Sequence, residues 1–124
     1  MKMNKKQKKK SIWISYDFGI KGDYTGLYTW LDNHQAKECG NGIAYFIYDY
    51  SNSISAVFDK LSVEELTRDI KASVKLSKSD RLYIIWKDKT TDKIKGEFIN
   101  GSRKQSPWEG YGKMNDENDV DEEV

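Results

Sequence analysis

One cysteine, one proline and one histidine are all that the 124 residues hold of three types that staple, stiffen and titrate a chain. With Cys39 alone no disulfide can close within the chain, which points to a reducing, cytoplasmic setting rather than to a stapled secreted scaffold. No window approaches the ~20 apolar residues of a membrane-spanning helix, so a soluble protein with no membrane partner is expected. A secretory leader is not expected either, because the apolar stretch after Lys10 is short and is interrupted by Asp17. The length suits one domain and leaves no room for a second catalytic one.

Charge of one sign is also lacking overall, since the net charge is +1. Its distribution is uneven. Lys2, Lys5, Lys6, Lys8, Lys9 and Lys10 crowd the first ten residues, whereas Asp116, Glu117, Asp119, Asp121, Glu122 and Glu123 crowd the end. Runs of like charge without apolar residues do not offset the entropy of ordering. The expected organisation is therefore a disordered basic tail at 1–10, one domain at 11–112 and a disordered acidic tail at 113–124. Lys5, Lys6, Lys8, Lys9 and Lys10 are candidates for phosphate contact with RNA or DNA, which would make binding salt-sensitive.

What is abundant is aromatic: four Trp, eight Tyr and four Phe. Ile12, Ile14, Tyr16 and Phe18 alternate with Trp13, Ser15 and Asp17, the period-two pattern of a strand. Gly19 and Gly22 break it, and Asp23 can cap a helix carrying Tyr24, Leu27, Tyr28 and Leu31 at helical spacing, ending near His34. After the Gly40-Asn41-Gly42 turn, "IAYFIYDY" (43–50) reads as a second strand and "ISAVF" (54–58) as its hairpin partner. Ser62 with Glu65 has the form of a capping box, and Leu61 with Leu66 that of a hydrophobic staple, opening a second helix with Val63, Leu66, Ile70 and Val74 inward. "RLYIIWK" and 94–99 complete the strands, and 101–112 is expected to run as an ordered loop.

This order, βαββαβ with an appended strand, gives an α+β class and the ferredoxin-like split βαβ plan: an antiparallel sheet with two helices on one face. Trp13, Ser15 and Asp17 then lie on the open face. Trp13, Tyr45 or Phe46, and Tyr83 or Ile85 are candidates for a base-stacking platform. The same surface could bury itself in a homodimer, with Trp13, Ser15 and Tyr83 at the interface.

"ISYDF", "DYTGLYTWL" followed by "AKECG", and "SDRLYIIW" together resemble the SinR-like relatives of the small CRISPR-associated ferredoxin-fold endonucleases, over roughly Ile12 to Trp86. In the nuclease branch the aspartate closing the first strand faces its twin across a homodimer and holds a divalent metal. The resemblance thus implies Asp17 as catalytic and metal-binding residue, with Mg²⁺ or Mn²⁺ as cofactor, in phosphodiester cleavage. The alternative is a non-catalytic protein-interaction module, an antitoxin or defence-related adaptor, whose open sheet takes a protein partner.

Other groups are weighed on their residues alone. Asp17, Asp23, Glu38 and Asp49 are carboxylates without a recognisable metal spacing. His34 is expected as a solvated helix-end residue and Cys39 as a small buried hydrophobe. "FGIKGDYTG" lacks the lysine-serine end of a P-loop and reads as a turn. Arg103 and Lys104, near Trp108 and Tyr111, suit phosphate or base recognition, or a solvated loop pinned by Trp108.

Overall fold

Alternation in "KKSIWISYD" sends Ile12 and Ile14 to one side of a strand and Trp13 and Asp17 to the other, and the structure is organised around that strand. The computed structural model describes residues 8–51 and 62–112. Their elements are β1 (Lys9–Asp17), α1 (Tyr24–Asn33), β2 (Lys37–Glu38), β3 (Ile43–Asp49), α2 (Val63–Ser73), β4 (Arg81–Lys87) and β5 (Ile94–Asn100). The fold is α+β, with five strands in the order β2-β3-β1-β4-β5, antiparallel at each pairing.

Ile12 and Ile14 of β1, Ala44 and Phe46 of β3, and Leu82 and Ile84 of β4 form one buried cluster with Leu27, Trp30 and Leu31 of α1 and Leu66 and Ile70 of α2. Both helices therefore cover the same face. Removing these side chains from water is the main force holding the layers together, at roughly 1.5–3 kcal/mol for each large one. Trp30, which the sequence reading omitted, is nearly inaccessible at the centre of this layer.

Several expectations are corrected. The second strand is the two-residue β2, so "IAYFIYDY" is the third; β3 pairs with β2 and with β1. The expected strand at 54–58 and the staple residue Leu61 lie outside the described residues. Strand β1 starts at Lys9, two residues before the expected domain start at Ser11, because Lys9 and Lys10 continue the ladder against Asp49 and Tyr48. The Lys10 ammonium also donates to the Lys87 carbonyl at 2.9 Å. Residues 1–7, with Lys5 and Lys6, and 113–124 lie outside the described residues.

Helix α1 begins as expected, the Asp23 carboxylate accepting from Gly26 N–H at 2.9 Å. It also accepts from Lys75 N–H, so one side chain caps α1 and ties it to the segment after α2. These two backbone donors hold the Asp23 carboxyl below its ordinary pKa. Helix α2 starts at the expected place, but the Ser62 hydroxyl makes no cap hydrogen bond. Glu64 and Glu65 in the first turn and Lys71 in the last complement the helix dipole instead. Tyr28, expected on the inward stripe, is exposed beside Tyr16 and Tyr24.

Cys39 is exposed rather than buried, since the β2–β3 turn leaves it at the sheet edge. His34 is half-buried rather than solvated. Its ring stacks on Trp30 at 3.8 Å, its Nδ1–H donates to the Trp30 carbonyl at 2.7 Å, and its Nε2 lies 3.9 Å from Asp69. Tyr48 donates its hydroxyl to the same carboxylate. Burial, reinforced by that hydrogen bond, pushes the Tyr48 pKa up. This group fastens β3 and α1 to α2.

Candidate functional site on the open sheet face

The faces of the central strands opposite the helices carry Trp13, Ser15 and Asp17 from β1, Tyr45 from β3, and Arg81, Tyr83 and Ile85 from β4, set side by side by the pairs Trp13↔Tyr45, Trp13↔Ile85, Ser15↔Tyr83 and Asp17↔Arg81. The expected platform is thereby narrowed. Tyr45 is on this face, its ring 4.8 Å from Trp13, whereas Phe46 is buried beneath the helices. Tyr83 meets Phe98 of β5 edge to face at 4.7 Å. Phe98 escaped the sequence reading, although alternation through Ile94, Gly96 and Phe98 was a usable signal.

A β-bulge at Leu82/Tyr83 lets β5 contribute an extra residue there. Phe98 stays beside Tyr83 while Ile99 turns into the core. Just beyond, Gly101 adopts φ +82, where a Cβ would approach the Asp80 carbonyl to 2.8 Å. Glycine is needed at that turn, which brings the following residues back over the sheet. Arg103 consequently stands 6.0 Å from the Tyr83 ring centre and 5.8 Å from that of Phe98, with Arg81 on Phe98 at 5.7 Å. Trp108 and Tyr111 are exposed at 71% and 63% and do not pin this loop.

Together Ser15, Asp17, Arg81, Tyr83, Phe98 and Arg103 line a cleft of about 300 Å³. Asp17 has a 62% exposed side chain, and its Oδ2 lies 3.4 Å from Arg81 and 3.9 Å from Lys104. Both separations are long for charge-assisted hydrogen bonds, and exposed pairs of this kind stabilise a fold by about 0–1 kcal/mol. The Arg81 Nε is buried and has no hydrogen-bond acceptor among the described residues.

Three cations against one carboxylate make this a donor set for an anion. Within one chain it does not suit a hard divalent cation, which needs several oxygen ligands. The other carboxylates considered as ligands are elsewhere: Asp23 caps α1, Glu38 is on β2, and Asp49 accepts from Ser51 N–H. Among the described residues no three His, Cys, Asp or Glu side chains group as a metal site, and no helix is long and apolar enough to cross a membrane.

The buried Asp80 supports this end of the sheet. Its carboxylate accepts from Gly19 N–H, Ser77 N–H and the Ser77 hydroxyl at 3.1, 2.9 and 3.0 Å, and its carbonyl accepts from the Asn100 amide. Burial opposes its charge, but those three donors outweigh burial and hold its pKa below the ordinary value. The result is a pinned origin for β4, so Arg81 and Tyr83 leave the loop in a fixed direction. Compared with known proteins, the chain matches no family model, no curated protein and no solved structure.

Proposed function

We propose that this is a nucleic-acid-associated domain of ferredoxin-like topology that binds RNA or DNA through its open sheet face. The topology is supported by the order β2-β3-β1-β4, to which β5 adds an edge strand. The observation that carries the function is the convergence of Arg81, Arg103 and Lys104 with Tyr83 and Phe98 on that face, next to the Trp13–Tyr45 pair. Cations track a phosphate backbone, and aromatic rings stack unpaired bases with little regard to sequence. Single strands fit better than duplex, because rings at the surface need splayed bases.

Cleavage as a homodimer, with Mg²⁺ or Mn²⁺, is the second reading. Its specific support is Asp17, exposed at the end of a central strand, where a second copy could bring a second carboxylate opposite. In that assembly Trp13, Ser15 and Tyr83 would lie close to the partner. A protein-binding adaptor is the third, resting on the exposed Ile43, Ile47 and Ile94.

The deciding experiment measures binding and cutting of single- and double-stranded RNA and DNA, with each metal and with chelator, by the wild type, Arg81→Ala and Asp17→Ala. Salt-sensitive binding to single strands, weakened in Arg81→Ala, is expected. Metal-dependent cutting lost in Asp17→Ala would establish the second reading. Absence of both binding and cutting would overturn the nucleic-acid assignment and favour the adaptor.

A further inference from the structure

The geometry points to a more specific ligand for the Asp17–Arg103 cleft: a single strand bearing a terminal phosphate monoester. This inference rests on the nucleic-acid reading and narrows it to one kind of strand end. Arg81 and Lys104 flank the carboxylate of Asp17 and Arg103 lines the same cleft of about 300 Å³, so the three cations exceed the one carboxylate by two positive charges. A phosphodiester inside a strand carries one negative charge. A monoester end carries about −1.5 to −2 at neutral pH and presents three strong acceptor oxygens. The excess matches the end rather than the interior.

The Arg81 donors are also incompletely engaged among the described residues. Arg81 reaches Asp17 only at 3.4 Å and keeps a buried Nε without an acceptor among the described residues. Its Nη1 shares the cleft with Asp17, and an anion placed between the guanidinium groups would engage that donor. Arg103 is held over the rings of Tyr83 and Phe98 and lines the same cleft. Ser15 adds a hydroxyl to the lining.

Beyond the phosphate, the face continues in one direction. Trp13 lies two residues before Ser15 on β1, an offset of about 7 Å along the strand. That is roughly twice the ~3.4 Å per phosphate of a stacked strand. Two bases splayed apart would therefore find two separate aromatic pairs, Tyr83–Phe98 for the first nucleotide and Trp13–Tyr45 for the next. The end is read by charge and the following bases by stacking, which leaves sequence unspecified.

The test is fluorescence anisotropy of the full chain with short single-stranded RNA and DNA oligonucleotides of one sequence, ending in a 5′-phosphate, a 3′-phosphate or hydroxyls only. One phosphorylated end is expected to bind at least ~10-fold tighter than the hydroxyl form, and the two phosphorylated arms identify which end it is. Arg103→Ala is expected to weaken every strand, but the phosphate-ended one at least ~10-fold more than the hydroxyl-ended one, which abolishes the preference, and Arg103→Lys to restore part of it. Thermal unfolding of each variant checks that the fold is retained. Equal binding of all ends would overturn the inference and leave the nucleic-acid reading standing. A preference that survives Arg103→Ala would overturn the assignment to this cleft, and failure of every strand to bind would overturn both readings.

Discussion

The Tyr83 side chain lies across Gly96 so closely that a Cβ on residue 96 would sit 2.1 Å from the tyrosine hydroxyl oxygen. The missing side chain on β5 is therefore what allows the ring to lie down beside Phe98. Gly96→Ala is expected to lift Tyr83 without unfolding the sheet, because the displaced atoms, the hydroxyl oxygen and two ring carbons, are the far end of a side chain and not backbone. Thermal or urea unfolding should show a stability change within about 1 kcal/mol, while single-strand affinity falls several-fold.

Asp17 is expected to act against anion binding, since its carboxylate competes for Arg81 and Lys104. Asp17→Asn should tighten binding to single strands, by roughly 3- to 10-fold at low salt, with little change in stability. Anisotropy titrations would check this. Unchanged or weaker binding would show that the pairs matter more for orienting the cations than for occupying them.

Asp80 is a stability residue, distinct from the cleft it supports. Asp80→Ala would leave the Gly19 and Ser77 donors without their carboxylate partner, at a cost of about 2–3 kcal/mol, measurable by urea denaturation. Its pKa is lower in the folded chain than in the unfolded one. Its contribution is therefore fully present above the unfolded value of ~3.9 and is lost as pH falls through the folded value. Wild type should lose stability below about pH 4, and Asp80→Asn should lose less over that window.

Salt should separate the charges from the rings. Plots of log affinity against log salt for a single strand are expected to steepen by ~0.7 for each phosphate contacted. Arg81→Ala should flatten the line, whereas Trp13→Ala should lower it in parallel. Identical slopes in all three proteins would remove Arg81 from phosphate contact.

The α+β class, the two helices and the open face of β1 were legible from local patterns: alternation at 12–18, the Asp23 cap and the inward spacing of Leu66 and Ile70. Strand numbering failed at β2 because Lys37 and Glu38 carry no apolar alternation; only their pairing to Ala44 and Tyr45 makes them a strand. His34 was misread because its environment comes from Trp30 and from Asp69 on another helix. In the cleft, Asp17, Ser15 and Tyr83 were legible as open-face residues, and Arg103 with Lys104 as a separate loop cluster. Arg81 was missed, since nothing local places it opposite Asp17.

That opposition has a consequence for how the molecule assembles itself. The Asp17–Arg81 contact joins positions 64 apart in the chain, while Tyr83 and Phe98 face each other across adjacent strands of one hairpin. Loop-closure entropy favours the short connection first and delays pairings distant in sequence. A nascent chain can thus form the aromatic wall before β1 docks beside β4, and the carboxylate joins its cations only when the sheet closes.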